Sequence, residues 1–439
     1  MLDAIIIGAG YAGMGTAALL SHAGLKVLVL ERSSLIGGRA SSFTDDDGYT
    51  WEFGAHSFRL AQKGIANELF ARLGLEIKFL PEAHDSKIIY KSTLWNRPEG
   101  PLGFLRTPML SFRARLTLIM LMLRIQKALP DEWYDMTLSD FYSQWFSNKE
   151  VKDFLPFLGM TVMCPDPEKV SAGEVISFIQ RALSAGIGVG DAFGGTKQVL
   201  STLRSQVEKT GEIHVNEEVL RVRTAENRVI GVETDKASYD SDRVIYAAPL
   251  FQLFTTVDEH LFSPDFVHYC RSIEHSSGLT FDFITDYPIC DIKGGILGVD
   301  LPIWARFQSN ADPSFTPHGK FLSTWGILLP WGFDGDPEVV ENREKQLKLT
   351  ISKLFPHFIP HLRRERKLVV HTMNGNVLTP RQSKPHRPSV KSDAILGLYF
   401  AGDTVNGDGC SGDISFSSAM HVADAIIAEH TEKNRRGSA

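Results

Sequence analysis

Short apolar runs and one helical segment alternate at the start of the chain. Residues 4–7 and residues 27–30 are uninterrupted apolar runs, and residues 14–23 between them have a helical composition. Gly8 ends the first run and Glu31 ends the second. Apolar runs of this length, bounded by turn residues, are typical of strands buried on both faces of a parallel sheet. The pattern therefore predicts a strand, a glycine turn, a helix and a second strand, which together form a βαβ unit.

Aromatic residues on either side of an Asp-Asp-Asp-Gly sequence predict a β-hairpin over residues 41–54. The turn falls at residues 45–48, and an Asp-Gly pair favours the tight turns of hairpins. Aspartate side chains also favour turns because they form local hydrogen bonds. We therefore interpret the three aspartates as a turn, in preference to a metal site.

Helical and strand patterns separate into blocks along the rest of the chain. The pattern of residues 103–190 predicts a helical cap. Its longest helix spans residues 112–129 and ends before Pro130. Residues 260–385 predict a second block of mixed structure. The individual elements predicted after residue 150 are helices at 153–163, 197–209, 337–354 and 415–430, and strands at 213–216, 218–224, 229–234, 243–247, 280–284, 320–327 and 397–401.

Composition and charge narrow the possible functions. Of the 439 residues, 43% are hydrophobic and 22% are charged, which is typical of a folded globular protein and excludes a disordered chain. The formal net charge of -6 provides no broad positive surface, so we expect no nucleic-acid partner. The four cysteines form no CxxC pair, so we expect a reduced, cytoplasmic chain without a structural metal.

The sequence predicts no membrane-spanning segment. The apolar stretch at residues 116–123 is flanked by Arg115 and Arg124 and is far shorter than the about 20 residues that a helical span needs. No basic leader precedes the strand at residue 4, so we expect no removable signal peptide. We expect a soluble protein, or one that contacts a membrane surface peripherally.

A glycine-rich turn between the first strand and the first helix carries the first chemical signal. In GAGYAG, residues 8–13, the first glycine permits the tight turn, the second lets backbone amides approach a pyrophosphate, and the third lets the helix pack on the sheet. Glu31 ends the second strand, where its carboxylate can accept hydrogen bonds from ribose hydroxyls and would repel a 2'-phosphate. The motif alone leaves NAD and FAD open, and a purely structural turn is the alternative. The cofactor-binding residues predicted here are Gly8, Gly10, Ala12, Gly13, Glu31 and Arg32.

A second glycine motif, GGRA at residues 37–40, follows Glu31 at a short interval. Its arginine can reach the pyrophosphate, and its glycines allow the backbone to pass close by. The succession of dinucleotide turn, acidic residue and Gly-Gly-Arg resembles the N-terminal signature of the FAD-dependent amine oxidase and phytoene desaturase superfamily. The resemblance extends from residue 4 to about residue 415, because further motifs of the superfamily are matched at residues 53–56, 194–195, 218–219, 242–249 and 398–403.

The resemblance implies noncovalently bound FAD. Asp403 would bond the ribityl or phosphate part, and the helix N-terminus near Ile414 would stabilise the negative charge of a reduced flavin. Asp413 could instead be a helix N-cap. Cys410 raises the alternative of a covalent flavin link, but we interpret it as an ordinary buried thiol. The residues that the matching motifs assign to FAD are Gly38, Arg39, Gly54, Ala55, His56, Val219, Gly402, Asp403, Asp413 and Ile414.

The sequence offers only two candidate catalytic residues. His56 and Arg59 fall in the segment that the superfamily places beside the flavin, although a histidine that bonds only to backbone is an equal alternative. Amine oxidases of the superfamily place a lysine, which holds a water against flavin N5, in the region of residues 274–282, and this sequence has no lysine there. The departure favours a desaturase-like site, in which flavin N5 accepts a hydride in a dry pocket.

The resemblance also predicts the fold class and the domains. We expect an α/β protein in which a Rossmann-like FAD-binding domain of the glutathione reductase type is interleaved with a mixed α+β substrate domain. Residues 1–80, 190–260 and 386–439 are assigned to the first domain, and residues 81–189 and 261–385 to the second.

The helix predicted at residues 112–129 has two interpretations. Packing within the helical cap is the default. The resemblance to desaturases offers the alternative of a membrane-docking or substrate-entry surface, at which basic residues of this helix would meet anionic head groups. These basic residues are Arg113, Arg115, Arg124 and Lys127.

The sequence therefore predicts an FAD-dependent oxidoreductase that resembles phytoene desaturases and transfers a hydride from an apolar or amphipathic organic substrate to flavin N5. The expected electron acceptor is a quinone or oxygen. One alternative is a flavin-dependent mutase or isomerase without net redox, like the UDP-galactopyranose mutases. Others are an enzyme like the amine oxidases or protoporphyrinogen oxidase, and a catalytically silent flavoprotein subunit.

Overall fold

The computed structural model describes residues 2–54 and 57–437. Its strands are short in the N-terminal half of the chain and longest after residue 275. They are β1 (Ala4–Ile7), β2 (Val27–Leu30), β3 (Ser42–Thr44), β4 (Thr50–Glu52), β5 (Phe58–Arg59), β6 (Lys87–Tyr90), β7 (Thr93–Asn96), β8 (Val189–Gly190), β9 (Glu212–His214), β10 (Val219–Ala225), β11 (Arg228–Thr234), β12 (Ser238–Asp240), β13 (Val244–Tyr246), β14 (Ser276–Thr285), β15 (Gly295–Gly298), β16 (Ile303–Arg306), β17 (Phe321–Leu328), β18 (Leu362–Asn374) and β19 (Leu398–Phe400).

The α-helices are concentrated between residues 100 and 185. They are α1 (Tyr11–His22), α2 (Ile65–Arg72), α3 (Gly100–Arg106), α4 (Phe112–Lys127), α5 (Leu138–Ser143), α6 (Lys149–Lys152), α7 (Leu155–Met160), α8 (Ala172–Ala185), α9 (Gly195–Val207), α10 (Pro264–Ser272), α11 (Gln308–Ala311), α12 (Pro337–Leu354), α13 (Phe358–His361) and α14 (Gly412–Gly437).

Five short strands form a parallel sheet in the order β19-β13-β1-β2-β9. Every residue of β1 and β2 is buried, which explains their uninterrupted apolar sequences. Successive side chains point to opposite faces. Ile6 packs with α1, α9 and α14, whereas Ile5 packs with β10 and β11 of a three-stranded sheet. The carboxyl ends of the parallel strands, where ligands bind in open α/β sheets, meet at one edge.

A second sheet contains seven strands in the order β18-β14-β17-β16-β15-β6-β7. Its strands are antiparallel except for the parallel pair β15 and β6. All ten residues of β14 are buried, because strands flank it on both sides and α12 covers one face through Leu347 and Ile351. Asp336 caps α12 by accepting a hydrogen bond from the Glu338 N–H at 2.9 Å.

Helices α3 to α8 form the helical block. Leu118, Leu121 and Ile125 of α4 are fully buried in one cluster with Ile88 of β6 and residues of α7 and α8, so this helix packs within the block as the default interpretation predicted. Its other face is uncovered. The exposed apolar side chains of α3 and α4 are Leu102, Leu105, Phe112, Leu116, Met120 and Leu123.

The predicted α/β fold class, with a parallel sheet beside a mixed α+β unit, is confirmed. The hairpin at residues 41–54 forms as β3 and β4, with Phe43 opposite Trp51. Asp45 stabilises its turn, since its carboxylate accepts hydrogen bonds from the Tyr49 N–H (2.9 Å) and from Trp51 Nε1 (2.8 Å). The proposed domain boundaries stay a prediction.

Two sequence expectations are wrong in detail. The helix predicted at residues 153–163 is shorter and forms α7 (Leu155–Met160), with Pro156 in its first turn and with Met163, whose φ is +60°, outside it. The short helix α6 before it was not predicted and is capped by Asn148, which accepts a hydrogen bond from the Val151 N–H at 3.2 Å. The long strand β18 was not predicted. It lies at the edge of the seven-stranded sheet and exposes a charged face, so its sequence lacks an apolar run.

Within residues 2–54 and 57–437, no helix is long and apolar enough to cross a membrane. The same residues contain no group of three or more His, Cys, Asp or Glu side chains placed to hold a metal ion.

Candidate active site

A large cavity lies where the parallel sheet, the seven-stranded sheet and the helical block meet. Its volume is about 1600 Å³, whereas ligand pockets commonly measure roughly 300–1,000 Å³. The loops that follow β1, β2, β13 and β19 line it, and so do residues of α4, α8 and β16. The cavity therefore has room for a dinucleotide and a further ligand.

The glycine turn after β1 is built for close backbone packing. Gly8 has a φ of +99°, which favours glycine. A Cβ added at Gly13 would lie 1.9 Å from the Gly8 carbonyl oxygen, so only glycine lets α1 pack here. A Cβ added at Gly10 would meet nothing nearer than the Gly37 carbonyl oxygen at 3.9 Å. The N-terminus of α1, which has no side-chain cap, is open to an anion in the cavity.

Glu31 is held at the end of β2 beside this turn. Its Oε2 accepts a hydrogen bond from the Ala9 N–H at 2.9 Å, and its Oε1 accepts two hydrogen bonds from Ser33 at 2.9 Å. Arg32 points to solvent and lies 3.9 Å from Glu218. Val219 is buried and lines the cavity at the start of β10.

Arg39 and Asp403 form a bidentate ion pair across 364 residues of sequence. Nη1 of Arg39 lies 2.6 Å from Oδ2 of Asp403, and Nη2 lies 2.9 Å from Oδ1. The Gly375 N–H donates a third hydrogen bond to Oδ2 at 2.9 Å. Burial opposes ionisation of Asp403, but the Arg39 charge and these hydrogen bonds outweigh it and lower the pKa of the carboxyl below its ordinary value. The pair joins the two predicted flavin motifs directly.

The other predicted cofactor-binding residues have distinct placements. Ala12, Gly38, Gly54 and Gly402 line the cavity. Gly13 and Ile414 do not line it, and the Ile414 side chain is fully buried in the cluster of the helical block. Ala55 and His56, the second of which was also a catalytic candidate, lie outside the described residues.

Asp413 and Tyr11 each bring a buried polar atom to the cavity wall. Among the described residues, neither Oδ2 of Asp413 nor the Tyr11 hydroxyl has a hydrogen-bond partner. Burial raises the pKa of the Asp413 carboxyl from 3.8 to about 7, although the charges of Arg181 and Arg59 oppose the increase. Asp413 lies within the first turn of α14, which begins at Gly412, and not at the residue before the helix.

The catalytic candidate Arg59 lines the cavity from β5, which pairs with β8. Its guanidinium lies 5.4 Å from the centre of the Phe178 ring. His275 stacks on Phe251 with 4.8 Å between ring centres, and burial lowers the pKa of this histidine. Two lysines line the cavity, Lys87 and Lys293, and neither belongs to β14.

Several residues of the cavity wall were not predicted from the sequence. Arg97 follows β7, and Trp304 and Arg306 lie in β16. Asn374 ends β18 and accepts a hydrogen bond at Oδ1 from the Ser411 hydroxyl (3.1 Å). These residues belong to no motif. They reach the cavity because of how the strands of the seven-stranded sheet pair, and local sequence does not reveal this pairing.

The residues present fit a flavin dinucleotide. The open N-terminus of α1, the carboxylate at the end of β2 and the close-packed glycines form the nucleotide-binding part. Asp413 and Tyr11 add buried polar atoms that have no hydrogen-bond partner among the described residues and could bond to the ligand. Fold and site together define a dinucleotide-dependent oxidoreductase. Residues 11–427 match the family of flavin containing amine oxidoreductases, so the chain belongs to that family. The protein is an FAD-dependent oxidoreductase, as the sequence predicted.

Curated relatives and solved structures agree with this family. A 15-cis-phytoene desaturase of Solanum lycopersicum is 23% identical over 449 aligned residues, which cover 92% of this chain and 73% of that protein. The L-amino acid oxidase bordonein-L of Crotalus durissus terrificus is 25% identical over 356 residues, which cover 76% of this chain and 66% of that protein. An oxidoreductase from Methanosarcina mazei has the same fold, with a TM-score of 0.78, 21% identity, and coverage of 96% of this chain and 100% of that chain.

Proposed function

We propose that this protein removes a hydride from an apolar or amphipathic small molecule, with noncovalently bound FAD, in the manner of a desaturase. The observation that carries the proposal is the apolar wall of the cavity beyond the dinucleotide-binding loops. Such a wall excludes water and orients a substrate by its shape. Its side chains include Phe104, Ile119, Met122, Leu123, Phe157, Leu158, Met160, Phe178, Ile179, Leu297 and Trp304.

The chain's own residues would hold the cofactor by position and charge. The N-terminus of α1 would face the pyrophosphate, and Glu31 would accept hydrogen bonds from the ribose. Arg39 is fixed by Asp403 (2.6 and 2.9 Å) and lines the cavity beside the glycine turn. FAD, when bound, supplies the hydride acceptor.

The absence of a lysine on β14 supports a desaturase over an amine oxidase of the lysine-water type. All ten residues of β14 are buried, and none is a lysine. Of the two lysines on the cavity wall, Lys87 donates a hydrogen bond to Asn96 at 2.6 Å. The similarity to 15-cis-phytoene desaturases over 92% of the chain supports the same proposal.

The uncovered face of α3 and α4 supports substrate entry from an apolar phase. Phe112, Met120 and Leu123 are 60%, 50% and 52% exposed, and Leu123 also lines the cavity. Arg113 lies on the same helix and is exposed. A peripheral membrane contact at this face would let an apolar substrate reach the cavity without crossing water.

The environment of Cys410 supports a noncovalent flavin. Its side chain is buried, and burial raises the pKa of the thiol to about 12. The thiolate, which is the nucleophile that a covalent link needs, is therefore scarce at neutral pH. Acid precipitation of the purified protein is expected to release all of the flavin into the supernatant.

The proposal is tested by steady-state turnover of the flavin-loaded protein with a soluble quinone as electron acceptor. A panel of apolar polyenes, cyclic terpenoids and primary amines is supplied, and quinone reduction is followed by absorbance. We expect reduction with members of the apolar set and none with the amines. Quinone or oxygen reduction with the amines alone would contradict the proposal and favour an amine oxidase.

A further inference from the structure

Three arginines from separate elements meet on one wall of the cavity. Arg59 lies in β5, Arg97 follows β7, and Arg306 ends β16. The positive charges of Arg306 and Arg59 both act on the Arg97 guanidinium and, after burial, lower its pKa. All three side chains line the cavity, and each adjoins the segment of residues 188–191, so they form one cationic cluster.

The segment around β8 holds the cluster together. Arg59 lies in β5, the strand that pairs with β8. A Cβ added at Gly188 would lie 3.4 Å from Nη2 of Arg97, so this guanidinium lies against the Gly188 backbone. At the other end of β8, Oδ2 of Asp191 lies 3.4 Å from Nη1 of Arg306.

Arg97 is the member of the cluster that has no side-chain partner within the part of the chain that the structure describes. Arg306 is paired with Asp191, and Arg59 contacts the Phe178 ring at 5.4 Å. The Arg97 side chain is exposed to the cavity and forms no hydrogen bond or ion pair with another described residue. A cavity-facing guanidinium with free donors in a positive surrounding is suited to an oxyanion.

Two acidic residues of the cavity wall, Glu82 and Glu99, do not pair with Arg97. Glu82 and Glu99 also line the cavity, and their charges act on Arg97 in the opposite sense to those of the other arginines. Glu99 pairs instead with His84, at 3.1 Å. Neither carboxylate forms an ion pair with Arg97 among the described residues.

The cluster adjoins the apolar wall. Trp304 and Arg306 are two residues apart in β16 and therefore point to the same face of the sheet, and both line the cavity. Phe178, which contacts Arg59, lies on α8 with Ile179. A ligand that contacts both regions has an anionic group at one end and an apolar body at the other.

We infer that Arg97, together with Arg59 and Arg306, binds a carboxylate or phosphate group of an amphipathic substrate whose apolar body lies against Trp304 and Phe178. This inference rests on the proposed function and specifies the class of its substrate. The guanidinium of Arg97 donates paired hydrogen bonds to two oxygens of the anion, and the two neighbouring arginines add charge.

The experiment compares three probes of equal chain length: octanoate, octyl phosphate and octan-1-ol. Each is titrated into the flavin-loaded protein, and Kd is obtained from the change in flavin absorbance. We expect one of the two anions to bind about tenfold to a hundredfold more tightly than the alcohol, which is the range of one charge-assisted hydrogen bond. The tighter anion identifies the group as a carboxylate or a phosphate.

The variant Arg97→Gln is expected to reduce the anion-to-alcohol preference to less than about threefold while retaining FAD and the wild-type Tm, because the side chain faces the open cavity and has no partner among the described residues. The control Arg228→Gln removes an exposed arginine of β11 outside the cavity and is expected to keep the full preference. Equal binding of the three probes by the wild type, or a full preference in Arg97→Gln, would overturn the inference.

The wild-type protein provides a second measurement that needs no variant. Raising the salt concentration is expected to weaken binding of the anions and not of octan-1-ol. Anion binding that is independent of salt contradicts the inference. A protein that binds octanoate through Arg97 but oxidises no apolar substrate would keep this site and overturn the proposed function, so the two failures are distinguishable.

Discussion

Replacing Asp413 with asparagine removes a charge that the fold buries without a full set of partners. The side chain is 4% exposed, and its Oδ2 has no hydrogen-bond partner among the described residues. Burial raises the pKa of this carboxyl from 3.8 to about 7. Asparagine has nearly the same shape and no charge, so Asp413→Asn isolates the cost of the buried carboxylate.

The expected magnitude follows from proton linkage. The folded protein holds the Asp413 proton up to about pH 7, whereas the unfolded chain loses it near pH 3.8. Between these values the folded state binds more protons, so the contribution of this group to stability falls as pH rises. At about 1.4 kcal/mol for each pH unit, the wild type loses about 4 kcal/mol relative to Asp413→Asn between pH 4 and pH 8.

The assay is urea denaturation of the deflavinated wild type and variant at pH values from 4 to 8. The readout is the change with pH in the difference between their free energies of unfolding, because an unpaired amide donor in the variant adds a constant cost. Asp393→Asn, which removes an exposed carboxylate, controls for the loss of one negative charge. A difference between wild type and Asp413→Asn that stays constant from pH 4 to pH 8 would refute the reasoning.

Three further substitutions test the cofactor site. Glu31→Ala is expected to raise the Kd for FAD at least tenfold, since each charge-assisted hydrogen bond contributes about 1.5–3 kcal/mol; a fluorescence titration with unchanged Kd would contradict its role. Gly13→Ala places a Cβ 1.9 Å from the Gly8 carbonyl oxygen, so we expect a lower Tm and loss of bound flavin, and a yellow protein with wild-type Tm would refute this. Arg39→Ala leaves the buried Asp403 carboxylate without its ion-pair partner, and we expect the free energy of unfolding, measured by urea denaturation, to fall by about 3 kcal/mol. Adding Asp403→Ala is expected to recover part of that loss, whereas additive losses would contradict the coupling.

The elements that local patterns determine could be predicted. The strands around the glycine turn are buried on both faces, so their apolar runs identify them. Helix α12 was predicted at its observed limits, because Asp336 caps it and Pro337 begins it. Strand β18 escaped prediction because an exposed edge strand of thirteen residues carries charged side chains.

Residues of the candidate site could be predicted only where they belong to a recognisable sequence motif. Glu31, Arg39 and Asp403 each stand in a recognisable segment, yet the ion pair between the last two depends on folding across 364 residues. Arg97 and Arg306 stand in no motif. The pairing of β7, β6, β15 and β16 brings them together, and this order of strands is not evident from local sequence.

The most direct test of the proposed hydride removal is one anaerobic turnover of the flavin-loaded protein, without any electron acceptor. An apolar substrate that supports quinone reduction is mixed with the oxidised protein, and the oxidised-flavin absorbance and the dehydrogenated product are measured together. We expect the absorbance to disappear, one product molecule to form for each flavin, and deuterium at the reacting carbon to slow both. Product that forms only on previously reduced protein, with no change in flavin absorbance, would contradict the account and favour a mutase or isomerase.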